Sequence, residues 1–140
     1  MADRTRYQPV GDYAGLAVKL YQYRAKVERI VDGDTCYVML DMGFHCYHVE
    51  SLRLAGVDAP ELFRGDNVLA GIAAKDFVRA WVEDAGVDRG TNDIYWPFEV
   101  ETFKERQTFG RYIGHIVRRD TGESLADALV EAGHAVRSTG

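Results

Sequence analysis

A chain of 140 residues, 46% hydrophobic and 28% charged, has the size and composition of one globular domain, able to bury a core without metal or disulfide support. Its net charge of −5, from 22 acids against 17 bases, excludes binding of nucleic acid through a global basic excess. A polyanion must instead meet a local patch or a bound cation, and 13 of the 17 bases are Arg, whose planar fork suits phosphate.

Residues 1–16 carry Pro9, Gly11 and Gly15 among mixed polarity and are expected to form an arm, leaving 17–140 as the single domain. The polar start Met1-Ala2-Asp3-Arg4 leads into no long apolar run, so no signal peptide and no membrane span are expected, and the default location is cytoplasmic. Cys36 and Cys46 form no CxxC pair and no zinc-like spacing, and are expected to be reduced, structural residues.

From Tyr21 the residues alternate, with Tyr21, Tyr23, Ala25 and Val27 on one side and Gln22, Arg24, Lys26 and Glu28 on the other. Period two predicts a strand with one wet face, ending at the tight-turn signal Asp32-Gly33. Thr35 to Leu40 predicts a second strand, Asp41-Met42-Gly43 a turn, and His45 to Val57 a third strand. Asp58-Ala59-Pro60-Glu61 resembles a capped helix start, and Ala70, Ala74, Phe77, Val78 and Trp81 then predict a helix from about Asn67 to Asp84. A polar loop follows to Asn92. Phe98 to Phe103 and Gly110 to Val117 predict two more strands. Ser124 can cap a final helix with the stripe Leu125, Ala128, Leu129 and Ala132, and Gly133 suits its stop. Three strands, a helix, a returning pair and a helix suit an α+β fold on a five-stranded OB-fold-like β-barrel.

Carboxylates and arginines gather at the ends of these strands, and each cluster has a plain structural explanation when taken alone. Asp32-Gly33-Asp34-Thr35 serves a turn, Arg53 through Glu61 a strand and a capped helix, and Phe109-Gly110-Arg111 a turn beside a solvated Arg. A meander, however, can bring Asp34 and Asp58 to one rim of the barrel. Two carboxylates roughly 5 Å apart at an effective dielectric near 20 repel by about 3 kcal/mol, which a divalent cation between them relieves. Oxygen donors favour calcium or magnesium over zinc. Arg53 and Arg111 beside such a cation suit a phosphodiester, and Glu61 is a carboxylate available to position or deprotonate water.

These segments resemble the staphylococcal nuclease (thermonuclease, micrococcal nuclease) family. Val31-Asp32-Gly33-Asp34-Thr35 is similar to its first motif, Arg53-Leu54 through Val57-Asp58-Ala59-Pro60-Glu61 to its second, and Phe109-Gly110-Arg111 to its third. Leu125 through Gly133 resembles its closing helix, so the likeness runs from about residue 24 to 137. The resemblance implies Ca2+, with Mg2+ the less favoured ion, held by Asp34, Asp58 and the Ala59 backbone carbonyl. It places Asp32 and Thr35 in the outer shell. Arg53 and Arg111 would grip the scissile phosphate, Phe109 would lie beside it, and Glu61 would act on the water. The implied activity is a hydrolase cleaving DNA or RNA with little sequence preference, acting as a monomer.

The departures are Phe109 where many members carry Tyr, Gln107 and Thr108 in place of charged neighbours, a longer connection between strands two and three, and no counterpart of the longer members' third helix. The alternative is a non-catalytic OB-fold module binding nucleic acid or a protein partner. His45 and His48, three apart on one strand, should face opposite ways and share no ion. His115 is assigned to the core and His134 to a helix end. Tyr21, Tyr23, Tyr37 and Tyr47 are assigned mainly to barrel packing, with base stacking as the alternative.

Overall fold

The structure is a computed structural model, and it describes residues 21–60, 68–85, 96–103 and 111–138. The expected arm over 1–16, together with Glu61, Asn67, Gln107, Thr108, Phe109 and Gly110, lies outside the described residues.

The first alternating segment forms β1 (Gln22–Asp32), which pairs antiparallel with β2 (Thr35–Asp41). β3 (Tyr47–Leu54) runs antiparallel to β2, and β4 (Val57–Asp58) follows. After α1 (Val68–Asp84) come β5 (Phe98–Thr102) and β6 (Tyr112–Arg118). β5 joins β1 and β6, and β6 runs parallel to β3, so the order β1-β2-β3-β6-β5 closes on itself. With α2 (Leu125–Glu131) this is the expected α+β, OB-fold-like barrel. Among the described residues no helix is long and apolar enough to cross a membrane.

Alternate residues of the strands build the interior. Val38, Leu52, Phe98, Val100 and Ile116 are all but inaccessible, and Val78 and Trp81 of α1 with Leu125 and Leu129 of α2 join them. The Trp81 ring stacks on Phe98 with centroids 5.3 Å apart, so the helix closes the barrel through a flat aromatic contact. Ser124 Oγ accepts a hydrogen bond from the Asp127 N–H at 3.3 Å, fixing the start of α2. Gly133, at φ +80°, ends it, with the His134 N–H bonded to the Leu129 carbonyl and the Gly133 N–H to that of Val130. Ala132, expected in the buried stripe, is the C-cap and is exposed, because the helix stops at Glu131.

Three sequence expectations need correction here. The third strand does not run from His45 to Val57. His45 sits in the β2–β3 hairpin at φ 58°, following Phe44 at φ 56°, so it shares no strand with His48. At the far end Ala55 and Gly56 turn the chain, with Gly56 at φ +74°, and β4 pairs with a second short strand, β7 (Val136–Arg137). Asp58 therefore closes a strand and is not a helix cap; the β7 pairing claims its backbone.

One ion network ties α1 to the barrel. Arg118, at the end of β6, is 5% exposed. Its Nε and Nη2 donate to the Asp120 carboxylate at 3.0 and 2.9 Å, and its Nη1 donates to Asp84 Oδ2 at 3.0 Å. The Asp120 and Asp84 carboxylates hold its pKa above the ordinary arginine value. Removing the cation strands a buried Asp120. Arg118→Leu is therefore expected to lower unfolding free energy by about 3 kcal/mol in urea titrations, and an unchanged midpoint would show that the network carries no stability.

Candidate functional site

The site begins at the β1–β2 turn. Gly33 has no positive φ; what it provides is the lack of a side chain. A Cβ there would fall 2.8 Å from the Ala59 Cβ and 2.9 Å from the Ala74 Cβ. The glycine thus lets α1 and the segment after β4 close onto the turn, which brings Asp34 next to residues 58 and 59.

Asp34 is buried, and both its oxygens are used. Oδ2 accepts from the Ala59 N–H at 2.9 Å, and Oδ1 accepts from the Thr35 hydroxyl at 3.1 Å. Its backbone carbonyl accepts from the Leu54 N–H at 2.8 Å, and its N–H donates to Asp32 Oδ1 at 3.2 Å. The β2–β3 register sets Arg53 opposite Thr35. From there Arg53 Nη2 lies 3.5 Å from Asp34 Oδ2 and also donates to Asp58 Oδ1, while Nη1 donates to the Leu54 carbonyl at 3.2 Å. Arg111, just before β6, places Nη1 3.4 Å from Thr35 Oγ1. The Asp34 and Asp58 side chains are 11% and 54% exposed, so one is fixed inside the rim and the other opens to solvent.

Asp32, Asp34, Thr35, Arg53, Asp58, Ala59 and Arg111 thus meet at one rim. Glu61 and Phe109 lie outside the described residues. A cavity of about 280 Å³, lined by Asp58, Ala59, Pro60 and residues 133–136, opens beside Asp58. Asp58 and Val136, paired across β4 and β7, both line it, a positioning element that two-residue strands cannot announce by periodicity.

Burial pushes the Asp32 carboxyl up to about 6, with its hydrogen bond to Asp34 and the Asp34 charge adding to the effect. Burial likewise pushes the Cys36 thiol up to about 12, which makes it a core residue and no nucleophile. Among the described residues no group of three or more His, Cys, Asp or Glu is arranged to hold a metal ion. What the rim offers is a pair of carboxylates, Asp34 and Asp58, sharing one guanidinium nitrogen, with the Ala59 peptide alongside. That oxygen-only set fits a hard divalent cation completed by water, and fits zinc poorly.

No family model matches the chain, and no curated protein matches it.

Two measurements probe this geometry. Asp32 binds its proton more tightly in the folded state, so its contribution to stability is complete below about pH 3.8 and is lost as pH rises through about 6. Asp32→Asn should therefore gain about 1 kcal/mol over wild type at pH 8, solvent screening at this half-exposed group included, and nothing at pH 3.5; a gain of the same size at both pH values would refute the assignment. Gly33→Ala, which must push α1 or Ala59 outward, should cost about 2 kcal/mol by overpacking in thermal denaturation. A neutral result would mean the turn has slack.

Proposed function

We propose that the chain is a calcium-dependent nuclease, hydrolysing phosphodiester bonds of DNA, RNA or both with little sequence preference, as a monomeric cytoplasmic enzyme. The observation that carries this reading is the position of Arg53 Nη2 between the Asp34 and Asp58 carboxylates, with Arg111 on the neighbouring Thr35. Two carboxylates aimed at one point supply what a divalent cation needs, and two forks beside them supply what a phosphate needs. The resemblance of the three motifs to staphylococcal nuclease supports the same reading.

In this reading Asp34, Asp58 and the Ala59 carbonyl would hold the calcium ion, and Asp32 and Thr35 would order its outer shell. The ion, when bound, supplies positive charge against the phosphate oxygens. Arg53 exchanges its carboxylate partners for a phosphate oxygen, and Arg111 reaches a second. Both cations meet the charge that builds on phosphorus as water attacks. Glu61 takes the proton of that water. The new P–O bond forms from water while the bond to the departing sugar oxygen breaks, and that oxygen acquires a proton from solvent.

A second reading, a non-catalytic OB-fold module, draws on one observation: Arg53 already bridges both carboxylates, which a purely structural ion cluster would also do. Activity separates the two. Purified protein is expected to degrade DNA with calcium and to stop with EDTA. Asp34→Asn and Glu61→Gln are each expected to lower turnover at least 100-fold, roughly the loss of several kcal/mol of transition-state stabilisation. Arg111→Lys should lower it similarly because Lys lacks the fork. Undiminished turnover in all three variants would leave only the binding module.

A further inference from the structure

The alternation that sends Cys36, Val38 and Leu40 into the barrel sends Tyr37, Met39 and Asp41 to the outside of β2. A bulge in β1 between Val27 and Arg29 keeps Lys26 opposite Met39 and Arg29 opposite Tyr37. The Arg29 guanidinium lies 5.0 Å from the Tyr37 ring centre. At the start of β3, Tyr47 is 52% exposed and stacks on Trp96, with centroids 5.5 Å apart and planes 19° from parallel. Lys26 Nζ sits 5.8 Å from the centre of the Trp96 ring. Lys26, Met39, Tyr47 and Trp96 together wall an open depression of about 370 Å³.

Aromatic faces set beside cations on the outside of an acidic protein need a partner that is flat and negative. Core packing does not explain them, since the barrel interior is filled from the opposite faces of the same strands. A peptide strand adding beside β1 or β3, whose pairings with β5 and β6 cover only Gln22–Ala25 and Leu52–Leu54, would bond main chain to main chain and leave the ring faces, Lys26 and Arg29 unmatched. Single-stranded nucleic acid meets both demands, with bases that stack and phosphates that seek Lys26 and Arg29. Duplex DNA hides its base faces and meets only the second. Glu28, 3.7 Å from Lys26, competes for that cation only through an exposed pair, which is a weak rival. The same face reaches the rim. Thr35, two residues before Tyr37 and buried at the rim, touches Arg111 and pairs with Arg53.

We propose that the outward face of β1, β2 and β3 is a track for single-stranded nucleic acid. Bases stack on Tyr47–Trp96 and on Arg29–Tyr37, Lys26 and Arg29 hold phosphates, and the strand is delivered to Arg53 and Arg111. Delivery rests on the phosphodiesterase reading; binding stands on the face itself.

The test is a fluorescence titration of the full chain with oligothymidylate of about 16 nucleotides, the upper end of an OB-fold site, in EDTA. Of the two tryptophans, Trp81 is buried and its Nε1 is bonded to Glu123, so quenching reports Trp96. Saturable quenching that weakens with salt is expected, with a duplex of equal length far weaker. Tyr47→Ala should lower affinity roughly tenfold, and Lys26→Ala should flatten the salt dependence. No quenching, equal quenching by duplex, or unchanged affinity in Tyr47→Ala overturns the track. A change in elution volume of the free protein on Tyr47→Ala would give the face to a second copy and also overturn it. A thymidine phosphodiester too short to span from the rim to Tyr47 separates the two proposals, since Tyr47→Ala should spare its hydrolysis while slowing that of long single strands. Binding without hydrolysis in calcium keeps the track and removes the nuclease; hydrolysis without binding does the reverse.

Discussion

The hydrogen bond from the Ala59 N–H to Asp34 Oδ2 is the contact on which the rim depends. It spans 25 residues and joins the turn before β2 to the segment leaving β4, so it holds the backbone at residue 59, next to Asp58, against Asp34. That bond is possible only because Gly33 lets Ala59 and Ala74 press against the turn. A backbone donor to an ionised oxygen is among the stronger polar contacts, and at this nearly buried Asp34 it is little diluted by water. Arg53 then follows from register, since its place opposite Thr35 sets it between Asp34 and Asp58.

Electrostatics reconciles the proposed site for a polyanion with an acidic chain. The net charge of −5 is a property of the whole surface, whereas screening confines exposed charges to their neighbourhood over about 10 Å. Within that range the rim sets Arg53 and Arg111 against Asp34 and Asp58, close to balance without a cation and positive with one. Asp32, with its carboxyl pushed up to about 6, sits at the margin of this balance. The negative remainder lies elsewhere, some of it on Asp84 and Asp120, which are spent on Arg118.

The barrel was legible in the sequence because its strands carry period two in plain form, as β1 and β2 do with Tyr23, Ala25, Val38 and Leu40. The closing helix was legible through its caps, Ser124 and Gly133. The ends of β3 were not. Phe44 adopts left-handed backbone that its residue type does not advertise, with His45 following it there, and the β4–β7 pair is too short to have a period. Asp58 looked like a cap because an Asp three residues ahead of a Glu reads as one, whereas pairing with Val136 decided its place. The rim residues Asp34, Thr35, Arg53, Asp58 and Arg111 were legible only as a set, each having an ordinary local explanation. Gly33 was read as a turn glycine; its reason is the approach of a helix distant in sequence, which no local pattern encodes.

The same strand period that builds the core also divides the chemistry. On β2 the inward residues Cys36, Val38 and Leu40 are committed to packing and the buried Thr35 to Asp34, so only Tyr37, Met39 and Asp41 are free to vary in character. Thr35 serves the rim and Tyr37 carries a cation on its ring, a pair of roles separated by one step of about 7 Å along the strand. The bulge at Glu28 then has a purpose beyond strand bending: it shifts the register so that Arg29, and not Glu28, faces Tyr37. Were β1 paired regularly, with no bulge, Glu28 would stand opposite Tyr37 and a carboxylate would lie against the ring in place of the guanidinium.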